Sequence, residues 1–156
     1  MIVSTNDYMI LKDRQVLGRY VVNEQISAIL NRTSADFMVE TEGHSVQNRP
    51  IKSITVGRGT EKVLMWSQMH GNESTTTKAV LDLINYLNTD SEVAKYIVAN
   101  CTLYIIPILN PDGAFAYTRE NANQIDLNRD AQDRTQPEST VLRKIFYEFG
   151  PDYCFN

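Results

Sequence analysis

The sequence predicts an α/β protein, because apolar runs typical of buried strands alternate with segments of helical periodicity. Residues 63–66 and 103–109 are almost wholly apolar, as is typical of strands covered on both faces of a sheet. Between them, from Glu73 to Leu87, apolar residues recur on one face of a predicted helix. Strands that alternate with helices form a sheet with helices packed on it. We therefore expect the two apolar runs to be adjacent central strands.

Shorter patterns predict the elements before this core. Helical spacing of apolar residues predicts a helix over residues 20–30. Short strands are predicted at residues 37–40 and 51–56, and the intervening residues 42–45 have the composition of a turn.

The elements after the core follow from capping and turn residues. Ser91 is expected to cap a short helix, and the turn sequence of residues 110–113 to end the second central strand. Residues 114–135 are predicted to be a polar loop. Pro137 is expected to begin a helix, which is followed by a strand that begins near Tyr153.

Composition excludes several classes of function. The 156 residues suffice for one domain, and a net charge of -4 with scattered Lys and Arg predicts no nucleic-acid partner. No apolar run approaches the roughly 20 residues that span a membrane. Residues 1–13 lack the pattern of a signal peptide, which slightly favours a cytoplasmic location. Cys101 and Cys154 are expected to be reduced thiols in the core.

A His-x-x-Glu pair marks the exit of the first apolar strand. His70 and Glu73 lie where this strand passes into the following helix, and ligand sites of open α/β sheets collect beyond such strand ends. Imidazole and carboxylate groups are standard zinc ligands. The alternative is a loop histidine beside an acid that the helix dipole favours. The pair alone does not decide between them.

Three polar residues of the predicted loop form a second candidate group. Arg119 could stabilise a developing oxyanion, and Arg129 could bind a carboxylate in two places with Asn128 adding a hydrogen bond. Each has an alternative interpretation as an ordinary surface residue in a solvated turn. The other histidine of the sequence, His44, lies in the predicted upstream turn and is not expected to bind metal.

Taken together and in order, these motifs resemble the zinc carboxypeptidase family of the carboxypeptidase A and B type. The resemblance covers roughly residues 15–156. Four matching segments carry it: His70-Gly-Asn-Glu73, Asn110-Pro-Asp-Gly113, Arg119 and Asp126-Leu-Asn128-Arg129. Gly43-His-Ser45 and Arg49-Pro-Ile51 give weaker support.

The resemblance implies a mixed, mostly parallel central sheet with helices on both faces, truncated before its last strands. It implies that His70 and Glu73 bind one Zn²⁺, that Arg119 polarises the scissile carbonyl, and that Asn128 and Arg129 bind a terminal carboxylate. The third zinc ligand and the general-base Glu of the family have no counterpart in the sequence. Residues 1–156 are therefore expected to form a single partial catalytic domain that is inactive alone.

The function implied for the full-length parent is zinc-dependent hydrolysis of the C-terminal bond of a peptide, or of a small amide substrate, with a free carboxylate. Two alternatives remain open. One is an amidase or deacylase of the same fold that acts on a small acyl-amino acid or a murein peptide. The other is a non-catalytic binding module. The oligomeric state and the side-chain specificity are not predicted.

Overall fold

The computed structural model describes residues 5–30 and 36–156, and it describes side chains from Tyr8 onward in the first range. One mixed sheet of five strands in the order β1-β2-β4-β3-β5 organises these residues. The strands are β1 (Phe37–His44), β2 (Pro50–Val56), β3 (Glu61–Trp66), β4 (Cys101–Ile106) and β5 (Tyr153–Phe155).

Both kinds of strand pairing occur in this sheet. β1 pairs antiparallel with β2, and β2 pairs antiparallel with β4. β3 lies parallel to both β4 and β5. The prediction that the two apolar runs form adjacent central strands is confirmed, and so is the predicted mixed sheet with helices.

Helices cover both faces of the sheet. They are α1 (Thr5–Leu11), α2 (Asn23–Leu30), α3 (Thr75–Leu87), α4 (Glu92–Asn100), α5 (Pro111–Ala116), α6 (Leu127–Asp130) and α7 (Pro137–Phe149). On one face, α2 and α3 contribute buried residues to a core cluster with Ile54, Leu103 and Ile105. On the other face, Ile145 of α7 belongs to a second cluster, which includes Leu64 and Ile106. Burial of apolar area on both faces explains why the central strands carry few polar residues.

Two sequence-based expectations about turns are wrong. β1 continues to His44, so residues 42–44 belong to the strand, and the turn lies just beyond them. The predicted loop of residues 114–135 contains the end of α5 and all of α6. Side chains stabilise both short helices: the Asn110 Oδ1 atom accepts a hydrogen bond from the Gly113 amide, and an Asp126 side-chain oxygen accepts one from the Asn128 amide.

β5 lies at one edge of the sheet in the described part of the chain. Its entry is fixed because the Asp152 side chain accepts a hydrogen bond from the Lys62 amide, and the Asp152 amide donates one to the Lys62 carbonyl. Tyr153 and Phe155 are each more than half exposed. Both cysteines are free thiols, as expected, but Cys154 lies exposed on β5 and does not belong to the core. None of the described helices is long and apolar enough to cross a membrane.

Candidate metal and substrate site

The His-x-x-Glu segment lies at the carboxyl ends of β3 and β4. The chain that leaves β3 stays beside the chain that leaves β4, because the Ser67 amide donates to the Ile106 carbonyl and the Leu109 amide donates to the Ser67 carbonyl. This position matches the rule that sites of open α/β sheets lie beyond the carboxyl ends of the strands. α3 begins at Thr75, two residues after Glu73.

Two glycines let the segment approach the turn after β4 closely. A Cβ atom on Gly71 would lie 1.9 Å from the carbonyl carbon of Gly113, so only glycine fits this backbone-to-backbone contact. The buried Asn110 side chain adds hydrogen bonds from its Nδ2 atom to the carbonyls of Met69, at 3.3 Å, and Arg119, at 3.4 Å. These contacts bring the segments that carry His70 and Arg119 together.

Four side chains form a closed set of contacts at this point. The His70 Nδ1 atom lies 3.1 Å from Glu73 Oε2, and His70 Nε2 lies 3.0 Å from Asp126 Oδ1. Arg119 donates from Nε to Asp126 Oδ2 and from Nη1 to Glu73 Oε1, each over 3.1 Å. The structure therefore places three of the sequence-predicted residues, His70, Glu73 and Arg119, in one cluster with Asp126.

Asp126 is the carboxylate that orients this cluster. Burial alone would raise its pKa, but hydrogen bonds from the Asn128 amide, from His70 and from Arg119 outweigh burial, and the pKa of Asp126 lies below its ordinary value. The group is therefore ionised at neutral pH, and its Oδ1 atom lies at hydrogen-bonding distance from His70 Nε2. In the tautomer that carries its proton on Nε2, this contact directs the Nδ1 lone pair of His70 towards Glu73.

The pair formed by His70 and Glu73 fits part of a zinc site. With Nδ1 unprotonated, two acceptor atoms face each other, which a cation would relieve. Their separation of 3.1 Å is close to the roughly 3.3 Å between two ligands that each lie about 2.0–2.1 Å from a tetrahedral ion. Among the described residues no group of three His, Cys, Asp or Glu side chains could hold a metal ion. His44 is exposed at the end of β1.

Asn128 and Arg129 lie next to this cluster, on α6. The Asn128 amide donates to Asp126 Oδ1 over 2.9 Å, so α6 begins at the carboxylate that contacts His70. The side chains of both residues are exposed. Within the described ranges, no carboxylate forms an ion pair with Arg129. Its guanidinium group is therefore free to bind a ligand.

A buried carboxylate links the β1–β2 turn to α5, next to the site. Asp112, which is 2% exposed, accepts hydrogen bonds from Ser45 Oγ, the Gln47 amide and Arg49 Nη1, the last over 2.7 Å. The two weaker upstream motifs thus meet the Asn-Pro-Asp-Gly motif in space. Because Gly113 of that motif contacts Gly71, the β1–β2 turn, α5 and the His70 segment form one packed unit.

The comparisons with known proteins agree with this geometry. A family model for zinc carboxypeptidases matches residues 22–148. The chain belongs to the zinc carboxypeptidase family. The alignment to carboxypeptidase SOL1 of Arabidopsis thaliana is 40% identical over 72 residues, which is 44% of this chain and 15% of that protein. Mouse carboxypeptidase M is 28% identical over 155 residues, which is 80% of this chain and 35% of that protein.

A solved metallo-carboxypeptidase structure shares the fold. The metallo-carboxypeptidase from Burkholderia cenocepacia superposes with a TM-score of 0.80 at 26% identity, and the match covers 85% of this chain and 39% of that one. The chain therefore spans well under half the length of these relatives.

Sequence reasoning missed the role of Asp126. Asp126 is the first residue of the Asp-x-Asn-Arg motif, and the resemblance implies roles only for Asn128 and Arg129. A signal was present, because an acid that precedes a short polar helix by one residue is a strong capping candidate. The contact with His70, 56 positions earlier, could not be seen without the fold.

Proposed function

We propose that this chain forms the first part of the catalytic domain of a zinc-dependent carboxypeptidase, which hydrolyses the C-terminal bond of a peptide or small amide substrate. The observation that carries the proposal is the position of Asp126. Its carboxylate contacts His70 and Arg119, and it caps the helix that bears Asn128 and Arg129. The metal-binding, carbonyl-polarising and carboxylate-binding candidates are thus gathered around one acidic group.

Each residue of the cluster has a distinct role in the proposed reaction. His70 Nδ1 and Glu73 would supply two of the three protein ligands of a catalytic zinc ion. When bound, such an ion polarises a carbonyl and lowers the pKa of water. Asp126 keeps the His70 ring in the orientation and tautomer that metal binding requires.

Arg119 acts on the substrate in this proposal. A cation on Glu73 would compete with Nη1 of Arg119, while Nε stays on Asp126. The freed end of the guanidinium can then donate to the oxygen of the scissile carbonyl, where negative charge develops. Asn128 and Arg129 bind the terminal carboxylate, which sets the bond to be cleaved one residue from the end of the substrate.

The test uses the longer protein that carries this chain and a matched pair of peptides, one a free acid and one an amide. Glu73→Ala should abolish turnover of both, because it removes a metal ligand. Arg129→Ala should lower kcat/KM for the free acid by about 10- to 100-fold, the loss of a charge-assisted contact, and leave the amide unchanged. Arg58→Ala, a change of an exposed arginine that precedes β3, is the control.

Two outcomes would favour other functions. An equal loss on both peptides in Arg129→Ala would contradict the carboxylate-binding role and favour an amidase or deacylase. Peptide binding without hydrolysis in the longer wild-type protein would favour a binding module. We further propose that the 156-residue chain alone does not hydrolyse peptides, because its described residues offer neither a third ligand nor a carboxylate free to act as general base at the cluster.

A further inference from the structure

We propose that Arg19, Tyr20 and Tyr117 form a binding site for an acidic side chain of the substrate, upstream of the scissile bond. This inference rests on the proposed function for its direction along the substrate. The binding of an acidic peptide at this site can also be tested without catalysis.

The three side chains contact one another in one cluster, in which the two rings are tilted by 51°. The rings of Tyr20 and Tyr117 have centroids 4.4 Å apart. The guanidinium carbon of Arg19 lies 5.3 Å from the centroid of one ring and 5.5 Å from that of the other. Tyr20 is 54% exposed. A guanidinium that lies on aromatic rings loses conformational freedom, but its N–H donors stay available in its own plane.

Arg19 has no acidic partner among the side chains that the structure describes. In contrast, Arg49 and Arg119 are each paired with at least one carboxylate. An oriented and uncompensated guanidinium is suited to bind a carboxylate in two places. The ligand chemistry is therefore that of an Asp or Glu side chain, with the tyrosine rings in contact with its aliphatic part.

The backbone on both sides of Tyr20 is hydrogen-bonded to residues that flank the segment from His70 to Glu73. Ser74 Oγ donates to the Arg19 carbonyl over 2.7 Å, directly after Glu73. Gln68 lies two residues before His70, and its Nε2 atom donates to the carbonyls of Val21 and Gly71. Tyr117, moreover, lies two residues before Arg119.

The order of contacts gives the direction. Asn128 contacts Asp126, and Asp126 contacts His70. His70 in turn contacts Glu73, and the next residue, Ser74, donates to the Arg19 carbonyl. If the terminal carboxylate of a substrate is bound at Asn128 and its scissile carbonyl lies at the cluster of His70, the preceding residues extend towards Arg19. The segment between Gly113 and Arg119 is only the end of a short helix and its exit, and Tyr20, which contacts Tyr117, is more than half exposed.

A kinetic experiment tests specificity in the longer protein. Peptides carry Glu, Gln or Lys at the second, third or fourth residue before the scissile bond. Wild type should prefer Glu over Gln at one position by about 5-fold in kcat/KM, the effect of a well-aligned exposed ion pair, and mainly through KM. Arg19→Gln should remove the preference, Arg19→Lys should keep part of it, and the charge-matched control Arg58→Gln should keep all of it.

A binding experiment separates this inference from the proposed function. Amide NMR spectra of the 156-residue chain are recorded with the Glu and Gln peptides. The Glu peptide alone should shift the resonances of Arg19, Tyr20 and Tyr117, and it should shift none of them in Arg19→Gln. Such shifts without hydrolysis by the longer protein would contradict the carboxypeptidase proposal and support the acidic-peptide site. Hydrolysis with equal kcat/KM for Glu and Gln at every position, or a Glu preference that survives Arg19→Gln, would overturn the inference.

Discussion

At the scale of single residues, Asp126 contacts more of the candidate site than its position in a predicted polar loop indicates. One oxygen faces His70 and the Asn128 amide, and the other accepts from Arg119. A residue that contacts both the candidate metal ligand His70 and Arg119 would couple the two proposed roles. We therefore expect the loss of Asp126 to lower zinc affinity more than it lowers the stability of the fold.

Asp126→Asn tests this coupling. The amide oxygen is a neutral and weaker acceptor for His70 Nε2–H, so the ring loses part of its basicity and its orientation is held less firmly. We expect zinc affinity of the longer protein to fall by about 10- to 100-fold, as for other partners of metal-binding histidines. Affinity is measured by competition with a chelator. Asp133→Asn changes an exposed acid seven residues later and should leave affinity unchanged; equal affinities in all three proteins would contradict the role.

At the scale of elements, the close approach of Gly71 to α5 determines where the segment from His70 to Glu73 can lie. Gly71→Ala would place a methyl group against the Gly113 backbone, and backbone on both sides leaves no flexible side chain to move. We expect a loss of about 3 kcal/mol in the free energy of unfolding, at the upper end of overpacking costs. Urea denaturation of the 156-residue chain measures it.

Gly150→Ala provides the matched comparison for this prediction. Gly150 has a φ of +60° and no atom within 4 Å of an added Cβ, so alanine there costs only the left-handed conformation, about 1–2 kcal/mol. If Gly71→Ala were no more destabilising than Gly150→Ala, the contact with Gly113 would not constrain the segment.

The longer helices could be predicted from the sequence, whereas the shorter helices and the contacts between loops could not. α3 and α7 were predictable because each carries an apolar face over thirteen residues. α5 and α6 were not, since six and four residues are too few for periodicity, and capping side chains stabilise them. His70 and Glu73 could be paired because their spacing is one of four motifs that occur in order along the sequence. The contacts of Asp126, and that of Gly71 with Gly113, depend on which loops meet at the carboxyl ends of the strands.

At the scale of the whole molecule, stability should depend on pH through Glu138. This side chain is fully buried, and burial raises its pKa although the Glu138 and Val46 amides and the Asn121 side chain donate to it. Because the folded pKa lies above the unfolded one, the folded state binds the proton more tightly. The contribution to stability is complete below the unfolded pKa and is lost as pH rises through the folded pKa.

Glu138→Gln removes this titration. The free energy of unfolding of the variant minus that of wild type should therefore increase as the pH rises from about 4, the ordinary pKa range of Glu, towards neutral pH. Asp126 and Asp130, whose pKa values are lowered, act in the opposite direction but are present in both proteins and cancel. Urea denaturation across this range provides the comparison, and a flat or decreasing difference would show that Glu138 does not titrate as described.

Metal analysis tests the completeness of the site in the same chain. With two candidate ligands in one cluster, the 156-residue protein should retain much less than stoichiometric zinc after dialysis, since catalytic zinc normally has three protein ligands. Stoichiometric zinc in the wild type that is lost in Glu73→Ala would show that a further ligand, from this chain or a second copy, completes the site.

The central position of β4 also bears on the order in which the sheet can assemble. β1 and β2 can pair early as neighbours in sequence, whereas β3 borders β4 and β5 and has no contact with β2 in the sheet. β3 must therefore await a strand made some forty residues later, and the closure of that long loop delays its pairing. We expect the β1–β2 hairpin to form first in a growing polypeptide. The insertion of β4 is then the step that converts two separate pieces into one cooperative unit.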